Sequence, residues 1–298
     1  MVFLLKTLIV GNITIDEIGD RIRVGGTGYY GGRALAEYLD AEVYVATNIG
    51  EAYKGLVKGV LETHGIKVIE IGYSSTPVFI IRDGKAVGFK GESPRISLSN
   101  LEPYARIYRF DVVVLGPILR EIDLNEIDYI LYWSPKVVAL DIQGLVRSVA
   151  DGELKLVWDY SIEEKLGKID VVHGNVKEFC FSSDIKNVLS RARDWSSTTK
   201  TTYLISLDER GLYIVTNNEA LYVRPPPISP VDEVGAGDIL LSVTAYYIAK
   251  GFSTIESALR GMAAATLKIE NAYREWFSKD TLESLAKELE RFVEEVNI

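Results

Sequence analysis

A chain of 298 residues can build one large domain or two modest ones, and 47% hydrophobic with 25% charged residues excludes a disordered or fibrous protein. The 33 Lys and Arg are outnumbered by 42 Asp and Glu. The formal charge of -9 therefore opposes binding to nucleic acid, and no basic run offsets it.

A single cysteine, Cys180, forbids an intrachain disulfide and a thiolate metal cluster, and suits a reducing, cytoplasmic setting. Two histidines, His64 and His173, are too few for a histidine-rich metal site. No stretch approaches the roughly 18 apolar residues of a membrane span. The opening run MVFLLKTLIVGN is broken by Lys6 and lacks a small-residue cleavage site, so it reads as a first buried strand rather than a leader.

Short β-branched runs then alternate with amphipathic stretches, the rhythm of a parallel sheet flanked by helices. Strands are predicted at residues 4–10, 42–47, 111–115, 137–141, 154–158, 170–172 and 203–207, most of them apolar on both faces as buried parallel strands are. Helices are predicted at 31–39, 52–63, 184–195, 238–249, 254–271 and 279–296. Two segments break the rhythm. Residues 12–24 read as two strands joined near Gly19 and Asp20, and residues 76–90 as a hairpin turning at Asp83 and Gly84. Together they imply a small extra sheet, suited to a lid or a homodimer contact. The expectation is a three-layer αβα domain over residues 1–298 with a mainly parallel central sheet and this small β-sheet lid.

The sharpest chemical feature is Asp232-Glu233-Val234-Gly235-Ala236-Gly237-Asp238 at the head of an apolar helix. Small residues at a helix start let the backbone approach a ligand, and the unpaired amides with the helix dipole favour an anion such as phosphate. Asp238 is badly charged to bind that phosphate itself but suited to take a proton from an attacking hydroxyl. A plain turn with an aspartate N-cap is the competing reading.

The chain resembles the ribokinase-like carbohydrate kinases of the phosphofructokinase-B type, in the right order over nearly its whole length. The resemblance implies that the Gly235, Ala236 and Gly237 amides form the anion hole and that Asp238 is the catalytic base. It implies that Asn175-Val176-Lys177-Glu178 is the family's Asn-x-x-Glu motif, with Asn175 on the nucleotide side and Glu178 acting on Mg²⁺ through water. It assigns acceptor binding to Asp16 and to the glycine pair Gly25-Gly26, and nucleotide contacts to Ser206 and Gly211. ATP is the expected co-substrate, with a monovalent cation as a further candidate cofactor.

Each motif has a plainer reading. Asn175 with Glu178 also fits a capping box, Asp16 a solvated hairpin, and Gly25-Gly26 a simple turn. Gly26-Thr27-Gly28-Tyr29-Tyr30-Gly31 satisfies GxGxxG, but it follows a charged segment rather than a buried strand, which argues against a dinucleotide fold.

The departures from the family pattern are three: Glu233 where threonine is usual, Tyr30 where an asparagine often binds sugar, and Asp208 where the nucleotide-side motif has glycine. Asp141-Ile142-Gln143-Gly144-Leu145-Val146-Arg147 is similar to a segment of archaeal myo-inositol kinases of this family, as is Gly28-Tyr29-Tyr30. This likeness adds Tyr30, Asp141, Gln143 and Arg147 as acceptor-site candidates, with Arg147 steadying transferred charge. The expected reaction is phosphoryl transfer from ATP to a hydroxyl of a sugar or cyclitol, myo-inositol being a candidate. A nucleoside or other alcohol kinase of the same fold is the alternative, followed by a nucleotide-binding protein without turnover.

Overall fold

In a computed structural model, which describes residues 4–72, 74–82, 85–150 and 153–297, the apolar runs pair into one large sheet. From one edge inward it runs Lys67–Gly72, Glu42–Asn48, Lys6–Val10, Val112–Leu115, Val137–Asp141, Val171–Asn175 and Thr202–Ser206, all neighbours parallel. Leu212–Val215, Ala220–Val223 and Val293–Glu295 complete the other edge as antiparallel strands.

Alternate residues of the central strands enter opposite cores. Ile9, Val45 and Val114 face the helices Ala236–Ala249 and Thr254–Asn271, while Leu8, Tyr44 and Val113 pack against Leu101, Ile127 and Val188. That two-sided burial explains why these strands read as continuous apolar runs, and it gives the expected three-layer α/β class.

Residues 12–24 and 76–90 form a separate small sheet in the order Arg21–Gly25, Thr14–Ile18, Val78–Arg82, Lys85–Lys90. The expected turn at Asp83 and Gly84 lies outside the described residues.

Two predicted elements need correction. The strand expected at 154–158 in the large sheet is Glu153–Leu156, paired only with Arg147–Ala150 in a two-stranded hairpin. Its Lys155 and its mostly exposed positions are the alternation of a half-solvated antiparallel strand, not of a buried parallel one. The helix expected over 279–296 stops at Leu289, where a 3-10 turn leads into Val293–Glu295 and the chain instead extends the sheet edge.

The helix expected at 31–39 begins earlier, at Thr27. Its glycines are there for closeness: a Cβ on Gly28 would lie 2.7 Å from Val45, and one on Gly31 2.1 Å from Ser242 of the helix Ala236–Ala249. The GxGxxG spacing is thus a helix-packing surface and not a phosphate loop.

Candidate active site

The strands Val137–Asp141, Val171–Asn175 and Thr202–Ser206 are parallel neighbours, so Asp141, Asn175 and Ser206 emerge together at their carboxyl ends, where open α/β sheets bind ligands. The helix Ala236–Ala249 starts against this edge. Its N-cap is Gly235, at φ 83°, and no side chain caps it. A Cβ on Gly235 would fall 2.1 Å from the Tyr30 ring, and one on Gly237 2.7 Å from His173. The signature turn therefore needs glycine for conformation at the first position and for space at both.

Asp238 lies inside the first helical turn, 8% exposed, and does not serve as N-cap. Its Oδ1 accepts a hydrogen bond from the Thr27 hydroxyl at 2.5 Å. Burial, followed by the nearby Asp141 charge, pushes the carboxyl up to about 7, against the smaller lowering effects of Thr27, His173 and Arg147. A carboxyl poised there can exchange its proton near neutral pH.

Beside it, the His173 Nδ1 and Asp141 Oδ2 are 2.8 Å apart and the His173 Nε2 is 3.3 Å from the Ser206 hydroxyl. Burial opposes charge on this imidazole, but Asp141, with the more distant Glu178 and Asp238, outweighs it and the pKa rises above the usual histidine value. Asp141 Oδ1 also accepts from the Gln143 amide at 2.9 Å.

Asn175 and Glu178 make only half of a capping box, and no helix follows. Glu178 Oε2 accepts from the Asn175 amide at 2.8 Å, Asn175 Oδ1 accepts from the Lys177 amide at 3.0 Å, and the next helix begins only at Ile185. The pattern builds a closed turn that turns Glu178 inward, where burial raises its pKa and Arg147 lies 3.5 Å away. Asp208 keeps the left-handed backbone (φ 54°) that favours glycine, and its carboxylate accepts from the Asn175 side-chain amide at 2.7 Å and from Lys177 at 2.6 Å.

A cleft of about 680 Å³ joins these groups. Asp141, Gln143, Asn175, Glu178, Ser206, Gly211 and the Gly235–Asp238 turn line it, with Glu233 and Asp208 among its polar walls. A second wall is apolar, from Leu212, Ile228, Met262, Ala265 and Ile269.

Asp16, Gly25, Gly26, Tyr30 and Arg147 are not among the lining residues; the first four gather on the small-sheet side of the signature turn. Asp16 is 4% exposed, accepts from the Thr14 hydroxyl at 3.1 Å, and is raised above the usual aspartate range by burial. Gly25 makes room for it, since a Cβ there would lie 2.6 Å from Asp16 Oδ2. Arg23, which the sequence reading missed, lies 3.8 Å from Asp16 and binds Asp232 of the signature segment. Two of its guanidinium nitrogens, including the Nη2 that faces Asp16, and the Tyr30 hydroxyl are buried without a hydrogen-bond partner. Thr27, His173, Asp232 and Lys268 were equally unmarked as site residues. Asp232, Thr27 and His173 sit inside or beside segments already marked, and Lys268 in an ordinary amphipathic helix; none carries a spacing signal of its own, because the contacts that place each side chain are tertiary.

No three His, Cys, Asp or Glu side chains among the described residues are grouped to hold a metal ion outright. The carboxylates of Glu178 and Asp141 still suit Mg²⁺, which prefers oxygen ligands and commonly keeps water and substrate phosphates in its shell. The carbonyls of Asp232 and Val234, where a monovalent cation could be held, are already taken by the ammonium of Lys268.

The model of the pfkB family carbohydrate kinases matches residues 156–274. No curated protein matches the chain in sequence. Among solved structures, a pyrophosphate-dependent kinase of the ribokinase family, complexed with a pyrophosphate analog and myo-inositol, superimposes with TM-score 0.77 at 15% identity, covering 93% of this chain and 99% of that one. Ribokinase from Thermotoga maritima gives 0.73 at 18%, with 96% and 100% covered. Phosphofructokinase-2 from Escherichia coli in complex with potassium gives 0.73 at 17%, with 97% and 100% covered. The resemblance read from the sequence is thereby borne out: the chain has the ribokinase-like fold and carries the pfkB carbohydrate kinase pattern across residues 156–274.

Proposed function

We propose that this protein transfers the γ-phosphate of ATP to a hydroxyl of a sugar or cyclitol, with myo-inositol as a candidate acceptor. The observation that carries the reading is Asp238, a buried carboxyl with pKa about 7 inside the first turn of an uncapped helix at the cleft. Thr27 fixes its Oδ1, leaving Oδ2 to accept the acceptor's proton as its oxygen attacks the donor phosphorus. Gly235, Ala236 and Gly237 line the cleft, so the amides at this helix start would meet the transferring phosphoryl group, that of Ala236 while also donating to the Glu233 carbonyl at 3.2 Å. Positioning and electrostatics supply most of the acceleration in such a loose transition state.

On the acceptor side, Asp16, Arg23 and Tyr30 offer a carboxylate, N–H groups without a hydrogen-bond acceptor, and a hydroxyl. Vicinal hydroxyls both donate and accept, so a polyol satisfies all three. Mg²⁺, when bound, neutralises charge on the donor phosphates, and Glu178 would hold it through water. Asn175, Ser206 and Gly211 edge the donor phosphates, while Gln143 and Asp141 border the transferred group, with Arg147 behind them.

The apolar wall of Leu212, Ile228, Met262 and Ile269 supports a nucleotide donor, since a base needs such a surface and pyrophosphate does not. The whole chain acts as one domain in this reading. The small sheet closes over the acceptor to exclude water, and its exposed Ile18, Ile22 and Val87 offer a contact to a second copy. No described helix is long and apolar enough to cross a membrane.

The test is a panel of polyols, sugars and nucleosides with Mg²⁺ and either ATP or pyrophosphate, following ADP or phosphate release and the acceptor's mass. ATP-dependent phosphorylation of a polyol is expected. Turnover restricted to nucleosides, or to pyrophosphate, would replace the corresponding half of the reading.

A further inference from the structure

Lys268, in the helix Thr254–Asn271, is 1% exposed, a rare state for a lysine without a full set of partners. Its Nζ donates to the backbone carbonyl oxygens of Asp232 at 2.9 Å and Val234 at 2.5 Å and stands 3.6 Å from the Asp232 carboxylate. The Tyr30 ring lies 5.2 Å away, on the side where Gly235 packs. Two carbonyl oxygens and a carboxylate turned toward one buried point are the ligand set that strips and holds a small monovalent cation. Here a tethered ammonium supplies that charge.

We infer that Lys268 is a built-in replacement for a monovalent cation, holding residues 232–235 in the conformation that presents the anion-binding amides. The inference rests on the kinase reading only for its consequence in turnover; its structural content stands without it. The carbonyls that Lys268 binds precede Gly235, and Ala236 and Gly237, which follow it, line the cleft. A positive charge on the one side therefore fixes the loop and favours an anion on the other. Burial pulls the ammonium down to about 8, against the opposing effect of Asp232, so it still carries its charge at neutral pH. Arg23, which binds the Asp232 carboxylate, ties the same point to the strand Arg21–Gly25, so loop and small sheet share one ionic anchor.

The experiment compares KCl, NH₄Cl and choline chloride at equal ionic strength, choline being too large to enter. Hydrogen exchange of residues 232–238 and the melting temperature are read in the wild type, Lys268→Ala and Lys268→Met. The wild type is expected to give the same loop exchange, melting temperature and turnover in all three salts. In choline chloride, Lys268→Ala loop amides should exchange about tenfold faster or more, with K⁺ or NH₄⁺ restoring protection. Lys268→Met, which fills the space with an uncharged chain, should exchange fast in every salt.

A wild-type enzyme that needs K⁺, or whose loop K⁺ protects, would overturn the inference, and that arm decides it even if the variants fail to fold. So would Lys268→Ala loop exchange that is unchanged, or faster in a way no cation reverses. Absence of turnover from all acceptors would count against the kinase reading alone, because the exchange arm needs no reaction.

Discussion

Replacing Asp238 by Asn should stabilise the fold while removing its chemistry, and the gain should depend on pH. The native carboxyl is raised from 3.8 to about 7, chiefly by burial. At about 1.4 kcal/mol for each pH unit, the folded state then carries about 4 kcal/mol of penalty whenever this group is ionised. A raised carboxyl binds its proton more tightly in the native state. The penalty is thus absent below pH about 4, where both states are protonated, grows as pH rises from 4 to 7, and is complete above 7. Asn is neutral throughout, and its Oδ1 still accepts the Thr27 hydroxyl. Urea unfolding at pH 4 should therefore find the two proteins within about 0.5 kcal/mol, and at pH 8 the variant about 2 to 4 kcal/mol more stable. In the same preparation, turnover should fall by about 10² to 10⁴-fold, the worth of a positioned general base. A variant that is equally or less stable at pH 8 would show a well-paired, ordinary carboxylate at this position and refute the reasoning.

The wild-type pH profile of kcat/KM should rise through pH about 7 as Asp238 loses its proton and then level off; a rise centred near 4 would contradict the burial argument. Asp16→Ala should raise the KM for the acceptor by about 10-fold or more and leave that for the donor unchanged, since loss of a hydrogen bond to a charged group costs about 1.5 to 3 kcal/mol; equal effects on both would remove Asp16 from the acceptor side. Glu178→Gln should weaken the dependence on Mg²⁺ by about 10 to 100-fold, measured as the Mg²⁺ concentration giving half-maximal rate, while Arg147→Ala should lower turnover, and unchanged constants would dismiss its role. Gly235→Ala meets both a positive φ and the Tyr30 ring 2.1 Å from the new Cβ, so it should destabilise by about 1 to 3 kcal/mol or more in a melting experiment and lose turnover; a silent substitution would contradict the packing described.

The layered α/β architecture was legible because buried parallel strands announce themselves as continuous apolar runs, and 137–141 and 254–271 appear with the bounds expected. What escaped was built by pairing rather than by pattern. Leu212–Val215 and Ala220–Val223 are short edge strands, and Val293–Glu295 follows a helix so closely that its residues continue the helical periodicity. In the site, the signature turn is contiguous in sequence, and Asp141, Asn175 and Ser206, though far apart along the chain, each end an apolar strand run, so the chain alone marked them. The contacts on the small-sheet side of the turn have no such marker. Arg23 meets Asp232 across 209 positions, Thr27 meets Asp238 across 211, and Lys268 reaches back 36 to the signature segment. None of those side chains carries a spacing signal, and a buried lysine in an amphipathic helix looks like any other until its partners are known. Tyr30, marked as a departure from a sugar-binding asparagine, supports the turn from beneath through Gly235.

The most direct measurement is the product itself: purified protein incubated with Mg²⁺, ATP and a polyol panel, with ADP and phosphorylated acceptor quantified by mass spectrometry for the wild type and for Asp238→Ala. Equimolar ADP and phosphorylated polyol from the wild type, falling by about 100-fold or more in the variant, is the expected result. Equal product from both proteins, or ADP without any phosphorylated acceptor, would contradict the assignment of Asp238 as the base of a phosphoryl transfer.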